Sequence, residues 1–192
     1  MYFNSTALQK KYSTEITKLR ECHRPIFLVG MMGSGKSTIG KILANVSGLK
    51  FIEMDEVIEE ESDISIKEMF ALYGEAFFRE KEKELLLEIC DDKNSANTII
   101  SCGGGVFANN ENIAKIALCG ISVFLNVNSR ILEERLKSDL KRPLINAQQS
   151  ITKLLSERIP FYTQANIMVD LQTHNLEQNA AKVLEEIYKY LP

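Results

Sequence analysis

Short apolar runs alternate along the chain with longer stretches of helical spacing. Pro25-Ile26-Phe27-Leu28-Val29 has no polar residue and stops at Gly30. A continuous apolar run followed by glycines is the pattern of a strand buried on both faces of a parallel sheet. From Ser37 to Val46 the apolar residues Ile39, Ile42, Leu43 and Val46 share one helical face, and Gly48 supplies a stop. Lys50 to Met54 predicts a second strand. Residues 55–90 are charged and helical in period but interrupted at Gly74, which predicts at least two helices. Thr98 to Ser101 predicts a third strand, running into Gly103-Gly104-Gly105. Asn109 to Cys119 predicts a helix stopped by Gly120, and Ile121 to Val127 a fourth strand. Ser129 is the expected cap of a helix ending near Lys137. Residues 138–149 are polar, contain a proline and lack period, so a loop is expected. Ser150 to Arg158 predicts a helix terminated by Pro160, Asn166 to Asp170 a fifth strand, and Leu176 to Tyr190 a closing helix. Residues 1–24 are polar and charged, with a helical turn or two between Ser13 and Arg20. They read as an appendage without chemistry. Strands that alternate with helices predict an α/β fold, a five-stranded parallel sheet covered by helices on both faces. Strand order does not follow from the pattern.

The first strand–helix junction carries the clearest chemistry. Gly30-Met31-Met32-Gly33-Ser34-Gly35-Lys36-Ser37 matches G-x-x-x-x-G-K-[ST] in full, between an apolar strand and a helical pattern. Glycines let the backbone turn tightly, so that successive N–H groups face phosphate oxygens. The helix beginning near Lys36 points its positive end at the same anion. Gly33, Ser34, Gly35, Lys36, Ser37 and Thr38 are therefore the expected nucleotide cradle. Lys36 would reach the β- and γ-phosphates, and Ser37 would offer its hydroxyl to Mg²⁺. The motif specifies a nucleoside triphosphate but leaves the acceptor open.

Composition narrows the classes further. The chain has 192 residues, 45% hydrophobic and 26% charged, which suits one compact domain with a buried core. Its formal net charge of −3 gives no reason to expect a nucleic-acid partner. The N-terminal stretch has no apolar signal region, and no run approaches the length of a membrane span. Four cysteines (Cys22, Cys90, Cys102, Cys119) and two histidines show no metal-binding spacing. Reduced thiols in a cytoplasmic protein are the expectation, with no disulfide framework.

No N-K-x-D motif for reading guanine is present. The third strand ends in Ser101-Cys102 rather than in the acidic pair of a motor ATPase. A short chain with a late basic loop fits a small-molecule kinase, which must exclude water with a closing lid.

Six segments in order resemble the shikimate kinase family. They are Gly30-Met-Met-Gly-Ser-Gly-Lys-Ser-Thr-Ile-Gly40, Phe51-Ile-Glu-Met-Asp55, Ser65-Ile-Lys-Glu-Met-Phe70, Gly74-Glu-Ala-Phe-Phe-Arg79, Gly103-Gly-Gly105, and Arg142-Pro-Leu144 followed by Arg158-Ile-Pro-Phe-Tyr162. The resemblance covers the chain from Pro25 to the last helix. It implies a three-layer α/β/α sandwich, a small helical substrate-binding region near 53–82 and a mobile lid near 137–149. It further implies ATP and shikimate as substrates, Mg²⁺ as cofactor, a monomer, and a place in aromatic amino-acid biosynthesis.

The same resemblance assigns roles. Arg79 and Arg158 would hold the shikimate carboxylate, which a guanidinium fork matches with two parallel hydrogen bonds. Asp55 would orient the reacting hydroxyl and accept its proton. Gly103, Gly104 and Gly105 would bring main-chain N–H groups to the acceptor. Arg142, in the lid, would swing over the phosphates, and Arg135 would stack on adenine. The catalytic set is therefore Lys36, Asp55 and Arg142.

Three departures stand out. Glu53 occupies a position where the family usually has an aspartate that holds Mg²⁺ through water. No proline lies near residues 174–177, where the adenine is expected. Residues 1–24 have no counterpart in compact family members. Two other readings compete: a related kinase for another hydroxy acid such as gluconate, and an inactive nucleotide-binding module. Lys36, Asp55 and Arg142 are all present, which speaks against the second.

Overall fold

The computed structural model describes residues 5–138 and 151–192. Five strands form one parallel sheet: β1 (Ile26–Val29), β2 (Lys50–Glu53), β3 (Thr98–Ser101), β4 (Ile121–Val127) and β5 (Ile167–Leu171), in the order β2-β3-β1-β4-β5. β1 is central. Phe27 pairs with Ile100 of β3 on one side and Ser122 of β4 on the other. β1 and β3 are buried along their whole length, while Lys50 of β2 and Met168 of β5 are exposed at the two edges. The chain fills one side of β1 with β2 and β3 before it crosses to β4. That reversal opens a crevice at the carboxyl end of β1, where parallel sheets bind ligands.

Side chains of successive strand residues point to opposite faces. On the Leu28 side lies α3 (Lys36–Ser47), packed on α9 (Leu176–Tyr190). Gly40 lets α3 approach closely, since a Cβ there would sit 2.5 Å from the Phe51 ring and 3.2 Å from Leu28. On the Phe27 side, Gly120 ends α6 (Asn110–Cys119) against the Phe27 ring. Helix α5 (Ile66–Asp91) packs on α6, and α4 (Met54–Ser62) packs on α5. Helices α7 (Ser129–Ser138) and α8 (Ile151–Tyr162) pack on each other. The layered architecture expected from the alternating pattern is present.

Residues 55–90 hold at least two helices, as expected: α4 and α5 are separate, and Gly74 breaks α5 with φ 81° between two helical segments. Helix α5 starts at a capping box: Ser65 Oγ accepts from Glu68 N, and Glu68 accepts from Ser65 N. Four other expectations change. The cap of α7 is Asn128 rather than Ser129, because the Asn128 carboxamide accepts from Arg130 N at 2.9 Å. Pro160 lies inside α8 and does not end it. Proline loses one ladder bond there and crowds the preceding turn, but buried Tyr162 anchors the last turn from outside the helix, on Gly104 O. Cys90 and Cys119 are joined in a disulfide, with Cα atoms 5.5 Å apart, so four free thiols is not what the fold contains. Packing of α5 on α6 brings the ends of those helices together, which spacing in sequence does not announce.

The N-terminal segment, expected as an appendage, is instead packed into the fold. α1 (Ser5–Lys11) and α2 (Ser13–Glu21) pack on α3 and α9, and Tyr12, Ile16 and Leu19 join the core. Arg20 Nε donates to Ser47 O at 2.5 Å and Lys18 Nζ to Leu191 O at 2.7 Å, which satisfies carbonyls at two helix ends. Of the lid expected at 137–149, residues 137 and 138 belong to α7, and residues 139–149 lie outside the described residues, as does Arg142.

Candidate active site

The loop after β1 wraps around a buried ammonium. Gly30, Gly33 and Gly35 have φ of 139°, 76° and 96°, a region in which a side chain would be strained. Lys36 is 8% exposed. Its Nζ donates to Gly30 O (2.9 Å) and Met31 O (3.0 Å), which holds the charge inside the loop at the N-terminus of α3. Gly33, Gly35, Lys36, Ser37 and Thr38 line a cleft of about 390 Å³, together with Glu53, Asp55, Cys102, Gly104, Arg135, Leu136 and Leu176. Ser34 differs: its side chain is buried beneath the loop. A larger groove of about 650 Å³ runs past the carboxyl ends of β4 and β5, but there Asn126 and Asp170 bond each other and no glycine loop is near.

Strand β2 delivers Glu53, and the first turn of α4 delivers Asp55. Glu53 stands beside Ser101 in the sheet register. Burial pushes the Glu53 carboxyl up, the hydroxyls of Ser37 and Ser101 pull it back, Asp55 raises it, and Lys36 lowers it. Glu53 Oε2 and Ser101 Oγ are buried without a hydrogen-bond partner. Buried oxygens in that condition are met by a water or an ion. With the Ser37 hydroxyl they form a set of hard oxygen donors, which fits a divalent cation such as Mg²⁺.

The glycine triplet after β3 gathers the rest. A Cβ on Gly103 would collide with Glu82 Oε1 and lie 2.9 Å from Asp55 Oδ1. One on Gly105 would collide with the Arg79 guanidinium, and one on Gly104 would lie 3.2 Å from Arg158 Nη1 and 3.7 Å from Met32 N of the phosphate loop. Asp55, Arg79 and Arg158 therefore converge on three residues that no side chain separates from them. Gly104 belongs to both groups, so the cradle and the charged cluster adjoin.

Arg79 is held in a fixed pose. Its Nε and Nη2 donate to Glu75 Oε1 (3.1 and 2.7 Å), and its Nη1 to Glu82 Oε2 at 2.5 Å. Burial works against its charge, but Glu82 and Glu75 outweigh it and raise its pKa. Glu82 is 2% exposed. Burial raises its carboxyl pKa, Arg79 and Arg158 lower it, and Asp55 raises it. Arg158 Nη1 donates to Gly104 O at 3.0 Å. Arg135, far from being a free surface residue, donates from Nη1 to Gly33 O (3.0 Å) and from Nη2 to Thr173 O (3.4 Å). Cys102 is fully buried, and burial pushes its thiol well above the usual range, so it packs as a neutral group.

Sequence reasoning missed Glu82, Ser101 and Tyr162 as members of this site. Glu82 had a signal, since an opposite charge three residues after Arg79 on a helix is an ion-pair spacing. Ser101 had none beyond its place at a strand end. Tyr162 stood inside a quoted segment but without a role.

Comparison with known proteins identifies the family. The family model described as shikimate kinase matches residues 32–188. The shikimate kinase of Thermodesulfovibrio yellowstonii is 35% identical over 164 residues, 84% of this chain and 93% of that one. That of Novosphingobium aromaticivorans is 36% identical over 184 residues, 93% and 95% of the two chains. The solved shikimate kinase of Acinetobacter baumannii in complex with shikimate superposes with a TM-score of 0.80 at 28% identity, covering 94% of this chain and 97% of that one. A gluconokinase from Sinorhizobium meliloti shares the fold alone, with a TM-score of 0.50 at 13% identity over 88% of this chain and 94% of that one. Loop, glycine triplet and charged cluster thus sit in a chain matched over most of its length, and the chain belongs to the shikimate kinase family.

Proposed function

We propose that the chain transfers the γ-phosphoryl group of ATP to the 3-hydroxyl of shikimate, giving shikimate 3-phosphate and ADP on the route to chorismate. The observation that carries this reading is the convergence of Arg79, Arg158 and Asp55 on Gly103-Gly104-Gly105 beside the phosphate loop. Two fixed guanidinium groups suit one planar carboxylate, and the nearby carboxylate suits a hydroxyl.

Arg79 and Arg158 bind the shikimate carboxylate, which leaves the ring hydroxyls facing Asp55 and the glycine N–H groups. Asp55 orients the 3-hydroxyl toward the γ-phosphorus and accepts its proton as the O–P bond forms. A loose transition state asks mainly for alignment and charge stabilisation. Lys36 supplies the second by moving its donors from the loop carbonyls to the phosphate oxygens. The N–H groups of Gly33, Gly35 and Lys36 hold the β-phosphate, and Arg135 borders the adenine side near Leu176. Arg142, outside the described residues, keeps the phosphate-facing role that its Arg-Pro-Leu setting implies. Mg²⁺, when bound, neutralises charge on the β- and γ-phosphates. Ser37 and Glu53 are the residues that would hold it, Glu53 through water. All these groups come from one chain, so a monomer suffices. No helix among the described residues is long and apolar enough to cross a membrane.

A coupled ADP-release assay with shikimate and with gluconate tests the acceptor. Turnover is expected with shikimate only, and faster release with gluconate would reverse the assignment. The cation role has its own readout. In calorimetric titrations of ADP at varied Mg²⁺, Glu53→Ala should raise the Mg²⁺ requirement by about 10-fold or more. Glu53→Asp should tighten Mg²⁺ binding with turnover unchanged. An unaltered Mg²⁺ dependence in Glu53→Ala would remove Glu53 from the cation site.

A further inference from the structure

We infer that Tyr162 is a positioning residue for the acceptor half of this site, acting through the Gly104 carbonyl that it shares with Arg158. The inference rests on the proposed acceptor reading. Tyr162 is fully buried, and its ring stacks on Phe124 with centroids 5.1 Å apart and planes 27° from parallel. Packing alone would be served by phenylalanine. The hydroxyl, however, donates to Gly104 O at 2.6 Å, a short bond to a main-chain oxygen 58 residues away. Arg158 Nη1 donates to the same oxygen at 3.0 Å. Arg158 and Tyr162 lie one turn apart on α8, so both meet the same oxygen from one helix face.

A carbonyl oxygen has two lone pairs, and here two donors occupy them. Two consequences follow from that count. The peptide plane between Gly104 and Gly105 is held with its oxygen toward α8. In a trans peptide the Gly105 N–H must then point the opposite way, away from α8. Tyr162 thereby sets the direction of a glycine N–H that side-chain contacts cannot hold.

The second consequence concerns Arg158. Binding of a carboxylate draws the guanidinium toward the ligand. With Tyr162 in place, the Gly104 oxygen keeps a donor while Arg158 moves. Without the hydroxyl, the half-buried Gly104 carbonyl competes with the substrate for Arg158, because an acceptor shielded from water and left unmet is costly. Burial raises the Tyr162 hydroxyl's pKa, and Arg158 lowers it, so the group remains a protonated donor at neutral pH. Phe124 keeps the ring in place in either case, which separates the hydroxyl's role from the ring's.

The test is Tyr162→Phe, with KM measured separately for shikimate and ATP and melting followed by calorimetry. The shikimate KM should rise roughly tenfold, the worth of one buried hydrogen bond of ordinary strength. ATP KM should stay within about twofold, since the loop that holds Lys36 does not bond Tyr162. A double-mutant cycle adds the readout specific to the mechanism. In an Arg158→Ala background, Tyr162→Phe should raise the shikimate KM by a smaller factor than in the parent, because the competition for Arg158 is gone and only the direction of the Gly105 N–H is still at stake. A shikimate KM within twofold of the parent overturns the inference. So does a rise in both KM values with a lowered melting temperature, or a loss of folding, since either outcome assigns the hydroxyl to stability alone. A parent chain that does not turn over shikimate at all overturns the acceptor assignment itself, which is a different result from an unaltered Tyr162→Phe.

Discussion

Lys36→Met is expected to lower kcat by about a thousandfold while shikimate still binds. The magnitude follows from removing one fixed donor aimed at charge that grows in the transition state. Lys36 is buried in the loop with its Nζ already within 3.0 Å of two main-chain oxygens, so it needs little reorganisation to meet a phosphate. Methionine fills similar volume without the charge. Initial rates at saturating ATP and shikimate give kcat, and calorimetric titration with shikimate reports the acceptor side separately. A kcat within about tenfold of the parent would mean that the ammonium stabilises the loop and not the reaction.

Arg79→Ala is expected to lower kcat/KM for shikimate by about 30- to 300-fold with ATP binding intact. Truncating one member of a buried charge pair typically costs about 2–5 kcal/mol, and the lower part of that range applies because Arg79 is a third exposed. Two effects combine. The substrate carboxylate loses a fork, and Glu82 loses its partner while remaining 2% exposed.

The loss of a partner gives this variant a distinctive pH signature. In the parent, burial already holds the folded-state pKa of Glu82 above its ordinary value, and Arg79 partly offsets that. A carboxyl with a raised folded pKa favours the folded state in acid and loses that contribution as pH rises through the folded value. Removing Arg79 lifts the folded pKa further. The melting-temperature deficit of Arg79→Ala should therefore be smallest near the ordinary carboxyl range, about pH 4.5, and widen as pH rises above it. A deficit independent of pH would show that Glu82 does not sense Arg79, and the braced pose of the guanidinium would lose its basis.

Much of this site was legible because its parts are contiguous in sequence. The phosphate loop needs only eight residues between a strand and a helix, and local geometry does the rest. Asp55 was equally accessible, since the turn from β2 into α4 places it two residues beyond Glu53. Gly48 and Gly120 were read correctly as helix ends for the same local reason. Errors arose where tertiary contacts outweigh local preference. Pro160 reads as a stop, yet α8 passes through it because Tyr162 is anchored from outside the helix. Ser129 and Asn128 are both good caps, and sequence does not say which carboxamide or hydroxyl faces the free N–H. Residues 1–24 look polar because α1 and α2 each bury only a narrow stripe, so Ile16 and Leu19 do not stand out until α3 and α9 are beneath them.

The amino-acid order alone therefore determined the strand–helix alternation, the nucleotide cradle and, through its motifs, the identity of most charged groups in the cleft. Each of these depends on neighbours a few residues away, where backbone preferences and side-chain period act. The tertiary structure decided that Glu82 braces Arg79, that Ser101 stands beside Glu53, that Cys90 meets Cys119, and that Tyr162 and Arg158 share one carbonyl. Those contacts join residues through burial. Exclusion of water gives a buried oxygen or charge a strong need for one particular partner, and which partner is within reach is settled only by how the helices pack on the sheet.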